Sequence, residues 1–213
     1  MMEQLKIKTY CHIKNHQIFV DGRMVFEVPE AGSLKEFLKL TFKHFKPGYA
    51  KFYKMDEISK LGFMAAEILL QDKPYSKLQP EDTGVVLSNA HSTLVTDNQF
   101  QESIRDDQNF YPSPSVFVYT LPNIMIGEIC IRHGFRGEQA FFIFENFSAN
   151  FMADYINQLF LSHKIKTCIG GWVDQTQESY EAFLYLADGS EEEEQQYKPH
   201  TGNEIERLYN LIK

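Results

Sequence analysis

The chain has little positive charge. Its 213 residues carry 21 Lys and Arg against 29 Asp and Glu, a formal net charge of −8. No basic run exceeds two residues, so the positive patch that nucleic-acid binding needs is missing and that class is excluded. Much of the acidity sits in Glu191–Glu194, which leaves the body nearer neutral. Cysteine is scarce as well. Cys11, Cys130 and Cys168 are odd in number and fit no zinc spacing, so they read as buried free thiols in a reducing compartment. No apolar run reaches the roughly 20 residues of a membrane-spanning helix. The start, MMEQLKIKTYCHIKNH, has neither the apolar stretch nor the small-residue cleavage site of a leader. A cytoplasmic chain without a membrane span is expected. There is no Gly-rich phosphate loop, since Gly134-x-x-Gly137 and Gly170-Gly171 read as turn glycines. No metal-ligand cluster is legible, and no cofactor is expected.

What is present is apolar material. The chain is 43% hydrophobic and 14% aromatic, with 18 Phe, enough for a full core and against global disorder. Leu5–Ile13 reads as a strand. Gln17–Val28 holds two short apolar runs around Asp21-Gly22, the signal of a hairpin. Ser33 caps a helix whose stripe is Leu34, Phe37, Leu38, Phe42 and Phe45, ended by Lys46-Pro47-Gly48. Met55–Gln71 is the next helical pattern, and Asp72–Asp82 a polar loop. Gly84–Leu87 is a short apolar strand with a turn at Ser88–Ser92. Thr96 or Asp97 caps a helix to about Arg105, and Asp106–Ser115 is an extended loop.

Pro122 is placed as first residue of a helix to about His133, stopped by Gly134. Gln139–Phe144 has the continuous apolar character of a strand buried on both faces. Ser148–His163 is helical, with Phe151, Tyr155, Leu159 and Phe160 on its buried side. Lys166–Trp172 and Ala182–Leu186 read as strands, Ser190–Gln196 as a solvated loop and Glu204–Ile212 as a short terminal helix. Strands alternating with helices from Asp56 onward argue α/β layering with a mixed, mostly parallel sheet. No internal repeat and no linker are visible.

Several segments resemble β-ketoacyl-acyl-carrier-protein synthases of the thiolase-like superfamily. They are KMDEISKLGFMAAEILL (Lys54–Leu70), Thr96-Asp97, PSPSVFVYTLPNIMIGEICIRHGFRG (Pro112–Gly137) and IGGWVD (Ile169–Asp174). The likeness runs from about Lys54 to Val173 and is densest from Gly84. It implies a three-layer α/β half-fold of the order βαβαβαββ. It also implies one domain over residues 1–213: a ketosynthase-like core at about 54–187, an N-terminal hairpin and helix at 1–50, and an acidic loop with a terminal helix at 190–213.

Two departures stand out. Counting on from Gly137, Asn146 falls where the family keeps its nucleophilic cysteine, and a carboxamide has no thiolate to carry an acyl group. The chain also matches the family's first half only. The His-Gly-Thr and Asn-x-Phe-Gly motifs that supply two active-site histidines in the second half do not occur. His200-Thr201-Gly202 reads as coincidence.

Asn146 then has two readings: a helix cap worth about 1 kcal/mol, or a hydrogen-bond donor to an acyl carbonyl beside a helix N-terminus. By the resemblance, Asn146, Phe147, Ser148, His91 and Phe117 are candidates for an acyl pocket. His91 and His133 are candidate general bases, with surface or loop histidines as the plainer reading. Cys168 and Cys130 sit in apolar settings that raise a thiol's pKa and blunt it. Ser92 and Ser148 show no local base or orienting acid.

Two functions follow from the resemblance. One is a non-catalytic, chain-length-factor-like subunit in fatty-acid or polyketide/aryl-polyene-type synthesis. It would form a homodimer, or a heterodimer with an active ketosynthase, with an acyl carrier protein as a further partner. The other is an acyltransferase or decarboxylase acting on acyl-carrier-protein thioesters with residues from a second chain. The dimer would use Gln139–Phe144 and the aromatic stretch Tyr111–Tyr119. In the competing arrangement, the Asn15–Phe45 segment and the terminal helix cover the same face.

Overall fold

The computed structural model describes residues 5–71, 78–105, 111–189 and 197–212. Its strands are β1 (Lys6–Lys14), β2 (Gln17–Val20), β3 (Arg23–Glu27), β4 (Thr83–Asn89), β5 (Gln139–Ile143), β6 (Thr167–Gln175), β7 (Tyr180–Asp188) and β8 (Lys198–Pro199). Its helices are α1 (Leu34–Phe45), α2 (Glu57–Leu69), α3 (Leu94–Ser103), α4 (Pro114–Val118), α5 (Ile124–His133), α6 (Ala149–Leu161) and α7 (Gly202–Tyr209). All eight strands form one sheet in the order β3-β2-β1-β7-β6-β4-β5, with β8 paired to β1. Setting aside the β2–β3 hairpin and the C-terminal β8–α7, the chain follows the expected βαβαβαββ order.

The sheet is mixed, as expected, but its ladders are not mostly parallel. Only β4–β5 and β4–β6 pair parallel; β1–β2, β2–β3, β1–β7, β1–β8 and β6–β7 are antiparallel. The reason is β7. It follows β6 through a tight turn, so it must run back, and it then separates β6 from β1. The N-terminal strand therefore lies inside the sheet, integral to the core.

Alternation along the strands builds two cores. On β7, Ala182, Leu184 and Leu186 face one side, while Phe183, Tyr185 and Ala187 face the other. The first side is covered by α1, α2 and α5 through Phe37, Leu61, Met64 and Ile129. The second is covered by α6 and α7 through Met152, Ala153, Ile156, Ile205 and Leu208. The result is three layers, with helices on both faces of the sheet. Helix α2 is buried nearly all round. Gly62 makes that possible, because a Cβ there would run into Met125 of α5.

Local chemistry sets most boundaries. Asp21 and Gly22 both take positive φ, the geometry of the hairpin turn their pairing predicts. Ser33 accepts from Glu36 N at 3.2 Å and Asp56 from Ser59 N at 3.0 Å, opening α1 and α2. Three expectations fail. First, α3 begins at Leu94, ahead of the proposed caps. Asp97 Oδ1 lies 3.1 Å from Thr93 Oγ1, and Thr96 instead donates to Asp56 Oδ2 at 2.6 Å. Second, α5 begins at Ile124, so Pro122 lies outside it. Third, α6 buries Ala149, Met152, Ala153 and Ile156, a stripe displaced from Phe151–Tyr155–Leu159–Phe160. The small residues let α6 close on the sheet, and the large ones flank it.

Strand β5 is also different in kind from the expectation. It lies next to β4 as predicted, but at the sheet's edge, where Ile143 is 53% exposed. Its apolar run is half covered by aromatics from α6: Phe142 packs on Phe151 and Tyr155 at 4.8 and 4.9 Å, and Phe144 on Phe151 at 4.9 Å. The predicted loop at Ser190–Gln196 falls wholly outside the described residues, as do 72–77 of the polar loop and 106–110 of the extended loop.

Candidate functional site

The parallel strands β5, β4 and β6 end together, and their C-terminal ends carry the chemistry. β4 closes on Asn89, whose buried carboxamide bonds both ways to Ser92: Nδ2 donates to Ser92 O at 2.8 Å, and Ser92 N donates to Oδ1 at 3.0 Å. This tight turn, with Ser92 at positive φ, presents His91 at the strand's mouth. Strand β6 runs beside β4 in the register Gly84–Cys168 to Ser88–Trp172, which brings Asp174 level with Ala90. Asp174 Oδ1 accepts from Ala90 N and His91 N at 3.1 and 3.0 Å, and Oδ2 stands 2.8 Å from His91 Nδ1. Both carboxylate oxygens are thus engaged. The pairing fixes the imidazole and leaves its Nε2 available, the arrangement of an oriented base.

Beside this pair lies a cavity of about 310 Å³, lined among others by His91, Glu145, Asn146, Phe147, Trp172 and Tyr209. Asp174, Glu181 and Glu206 also line it. Glu181 is balanced by Lys14 Nζ at 3.1 Å and accepts from Tyr209 Oη at 2.5 Å. Phe147 packs at a tilt against Trp172 and Tyr209, with ring centres 5.9 and 4.7 Å away. Trp172 is 3% exposed, and its Nε1–H meets no acceptor among the described residues.

Of the residues singled out by sequence, His91, Asn146 and Phe147 meet at this cavity. Ser148 precedes α6 without a side-chain capping bond. Asn146 lies in a bend two residues earlier and is exposed, so it is not the helix cap. Phe117 is elsewhere, on α4 against Phe100 at 5.3 Å. Of the neighbouring aromatics, Tyr119 is buried and donates to Glu128 at 2.9 Å, while Tyr111 is exposed.

His133 lies at the end of α5, in a different cavity of about 400 Å³. Its Nε2 is 3.0 Å from Glu67 Oε1, off the line of a hydrogen bond. His200 is buried against Tyr185 and bonded to Asn157 at 2.9 Å. Burial pushes it down to about 4, so it is a core histidine.

The thiols are core groups. Cys168 is fully buried and pushed well up by burial, and Cys130 is pushed up to about 12 for the same reason. Among the described residues no group of three or more His, Cys, Asp or Glu side chains could hold a metal. No helix among them is long and apolar enough to cross a membrane. Sequence reading missed Asp174 as a partner of His91, together with Trp172, Glu145, Glu206 and Tyr209. Asp174 stood within IGGWVD, but only strand register could pair it with a residue 83 positions away.

No protein-family model matches the chain, and no curated protein does. Solved structures do. The ishigamide ketosynthase/chain length factor matches with a TM-score of 0.64 and 16% identity, over 90% of this chain and 63% of that one. The ketosynthase ApeO in complex with its chain length factor ApeC, from Xenorhabdus doucetiae, matches at 0.56 and 13%, over 97% of this chain and 90% of that one. A type II polyketide synthase acyl-carrier protein in complex with its ketosynthase, AntDE:AntF, matches at 0.56 and 13%, over 87% and 62%. The chain thus spans a little under two thirds of the length of the first and third. Its fold is the thiolase-like fold of ketosynthases and chain length factors.

Proposed function

We propose that the chain is a non-condensing, chain-length-factor-like subunit that works beside an active ketosynthase in fatty-acid or polyketide/aryl-polyene-type synthesis. The observation that carries this reading is the exposed Asn146 on the strand-to-helix bend after β5 of a thiolase-like half-fold. The resemblance puts a nucleophilic cysteine at that bend, and the chain's own three thiols are buried. An acyl group could be held there but not bonded.

In this reading the partner covers β5. The edge strand presents unpaired backbone groups and an apolar flank of Ile143, Phe142, Phe144 and Phe151, which a protein in water normally blunts or covers. A second copy of the chain or an active ketosynthase would do so. The acyl pocket then takes Asn146, Phe147 and Ser148 at the end of β5, with His91 beside them. Phe117 joins only through the assembly. An acyl carrier protein serves the active partner, and the setting is cytoplasmic.

A second reading has one observation in its favour. The His91–Asp174 pair is an oriented base, which suits an acyltransferase or decarboxylase completed by a second chain. The test is reconstitution. The chain is co-expressed with the ketosynthase that co-purifies with it from its native host, and products are compared with and without it. The subunit reading expects a stable complex, altered product length or yield, and no acyl adduct on this chain by intact mass after exposure to acyl-carrier-protein thioesters. A covalent adduct, or condensation by the chain alone, would overturn it.

A further inference from the structure

Helices α3 and α4 differ from the other helices in what seats them. No apolar side chain of either belongs to the two cores. Among the described residues from Leu94 to Ile124, Thr96 and Tyr119 are the only buried ones. Leu94, Tyr111, Phe117, Val118 and Leu121 are all exposed. Apolar burial therefore holds this stretch only through the Tyr119 ring, and polar bonds must do the rest.

Both buried residues are hydroxyls bonded to a carboxylate of the body. Thr96 Oγ1 donates to Asp56 Oδ2 at 2.6 Å, at the start of α2, and Tyr119 Oη donates to Glu128 Oε1 at 2.9 Å, inside α5. Bonds to a charged acceptor are about twice as strong as neutral ones. Each carboxylate also has a second partner that belongs to the body: Ser59 N–H for Asp56 at 3.0 Å, and Lys51 Nζ for Glu128 at 2.9 Å. Releasing the two hydroxyls thus strands neither carboxylate without a partner, which removes the heaviest cost of breaking a buried polar contact. The two helices meanwhile hold each other. Thr93 Oγ1 donates to Thr120 O at 2.9 Å, and Phe100 packs on Phe117 with ring centres 5.3 Å apart.

We propose that α3 and α4 form one unit that lifts from the body as a whole, by breaking these two hydroxyl–carboxylate bonds, while the sheet stays folded. Openings of this kind involve the parts of a fold with few buried apolar contacts. The hinge is the turn that presents His91: Leu94 N donates to His91 O at 3.0 Å, Ser92 holds a positive φ, and Asp174 fixes the Ala90 and His91 N–H groups from β6. The motion is thereby coupled to the end of β4 that carries the candidate site. It does not rest on pairing with a synthase, so either proposal can fail alone.

Native-state hydrogen exchange of the whole chain in low urea tests this. In the wild type, the amides of α3 and α4 should merge into one opening with a shared urea dependence, faster than the amides of β6 and β7. Thr96→Val and Tyr119→Phe keep the shape of each side chain and remove only the hydroxyl bond. Either one should raise exchange about tenfold or more in both helices. Separate openings for the two helices, wild-type amides there as slow as those of β6 and β7, a rise confined to the helix beside the substitution, or unchanged exchange in both variants would overturn the proposal. The wild-type measurement decides even where a variant does not fold.

Discussion

Among the described residues the protein holds two histidine–carboxylate pairs, and they are built for opposite ends. At the end of α5, Glu67 meets Arg132 through Nε at 2.8 Å and through the terminal nitrogen at 3.1 Å, with His133 at 3.0 Å. Arg132 also donates to Pro47 O at 2.6 Å, tying α5 to the segment after α1. Burial alone would raise Glu67. His133 and Arg132 beside it outweigh that and hold the carboxyl below its usual range. Charge there is balanced locally, and the network reads as a clamp between α1, α2 and α5. At the mouth of β4 the account is different. Asp174 spends its oxygens on His91 and two backbone donors, while Glu145 and Glu206 stand without partners among the described residues. One site balances its charge locally; the other carries surplus negative charge. A histidine beside a carboxylate is therefore not a functional sign until its surroundings are counted.

Two further histidines sharpen that comparison, because they have no carboxylate partner and their effect should be the largest. His12 and His200 are each buried and pushed from an ordinary 6.5 down to about 4. Desolvation is the main cause for both, and the bond of His12 to Leu208 O only partly offsets it. The unfolded chain binds these protons more readily than the folded one. Their contribution is therefore fully present above about pH 6.5, falls as pH drops, and is gone below about 4. Each is worth on the order of 3 kcal/mol over that window. Urea unfolding between pH 7 and pH 4.5 should show the loss, and His200→Gln should flatten the slope. A stability constant down to pH 4.5 would contradict the burial of both rings.

The two carboxylates separate next. Glu67→Gln leaves Arg132 and His133 facing a neutral group and should cost about 2 kcal/mol. Asp174→Asn keeps one oxygen for the Ala90 and His91 N–H groups and removes a charge from a crowded acidic site. It should cost no more than about 1 kcal/mol. Matched urea curves decide it. Equal losses would mean that the β4 end is as much a structural clamp as the α5 end.

This contrast was not legible in the sequence, although much of the scaffold was. Asp21-Gly22, Ser33 and Gly134 declare turns and helix ends through local chemistry, and the structure keeps them. His91 and His133 look alike locally, each near an element's end. What distinguishes them is partnership: Asp174 reaches His91 through the β4–β6 register, and Glu67 reaches His133 across α2 and α5. Edge position was invisible for the same reason. An apolar run such as Gln139–Ile143 has one appearance whether it is covered by neighbouring strands or by aromatics from one helix. The displaced stripe of α6 is a related case, since size marked Phe151 and Tyr155 as buried while the tight approach to the sheet selected Ala149 and Ala153.

Asn146 should show the smallest stability effect. It follows β5 and precedes the first turn of α6, lines the acidic cavity and is exposed. No hydrogen bond joins it to any described residue, and it does not cap the helix. Truncating it therefore removes no partnered group and opens no void. Asn146→Ala should shift the unfolding free energy by no more than about 0.5 kcal/mol, well below either carboxylate. Asn146→Cys should be equally mild for stability and should yield no condensation by the chain alone. A thiol there would find one oriented imidazole, His91, while His12 and His200 remain in the core. Condensation also requires groups that stabilise the enolate formed on decarboxylation. Thermal unfolding and a carrier-protein condensation assay test the two variants. A loss near 2 kcal/mol in Asn146→Ala would show that the bend after β5 depends on this side chain, and would return it to the structural side of the comparison.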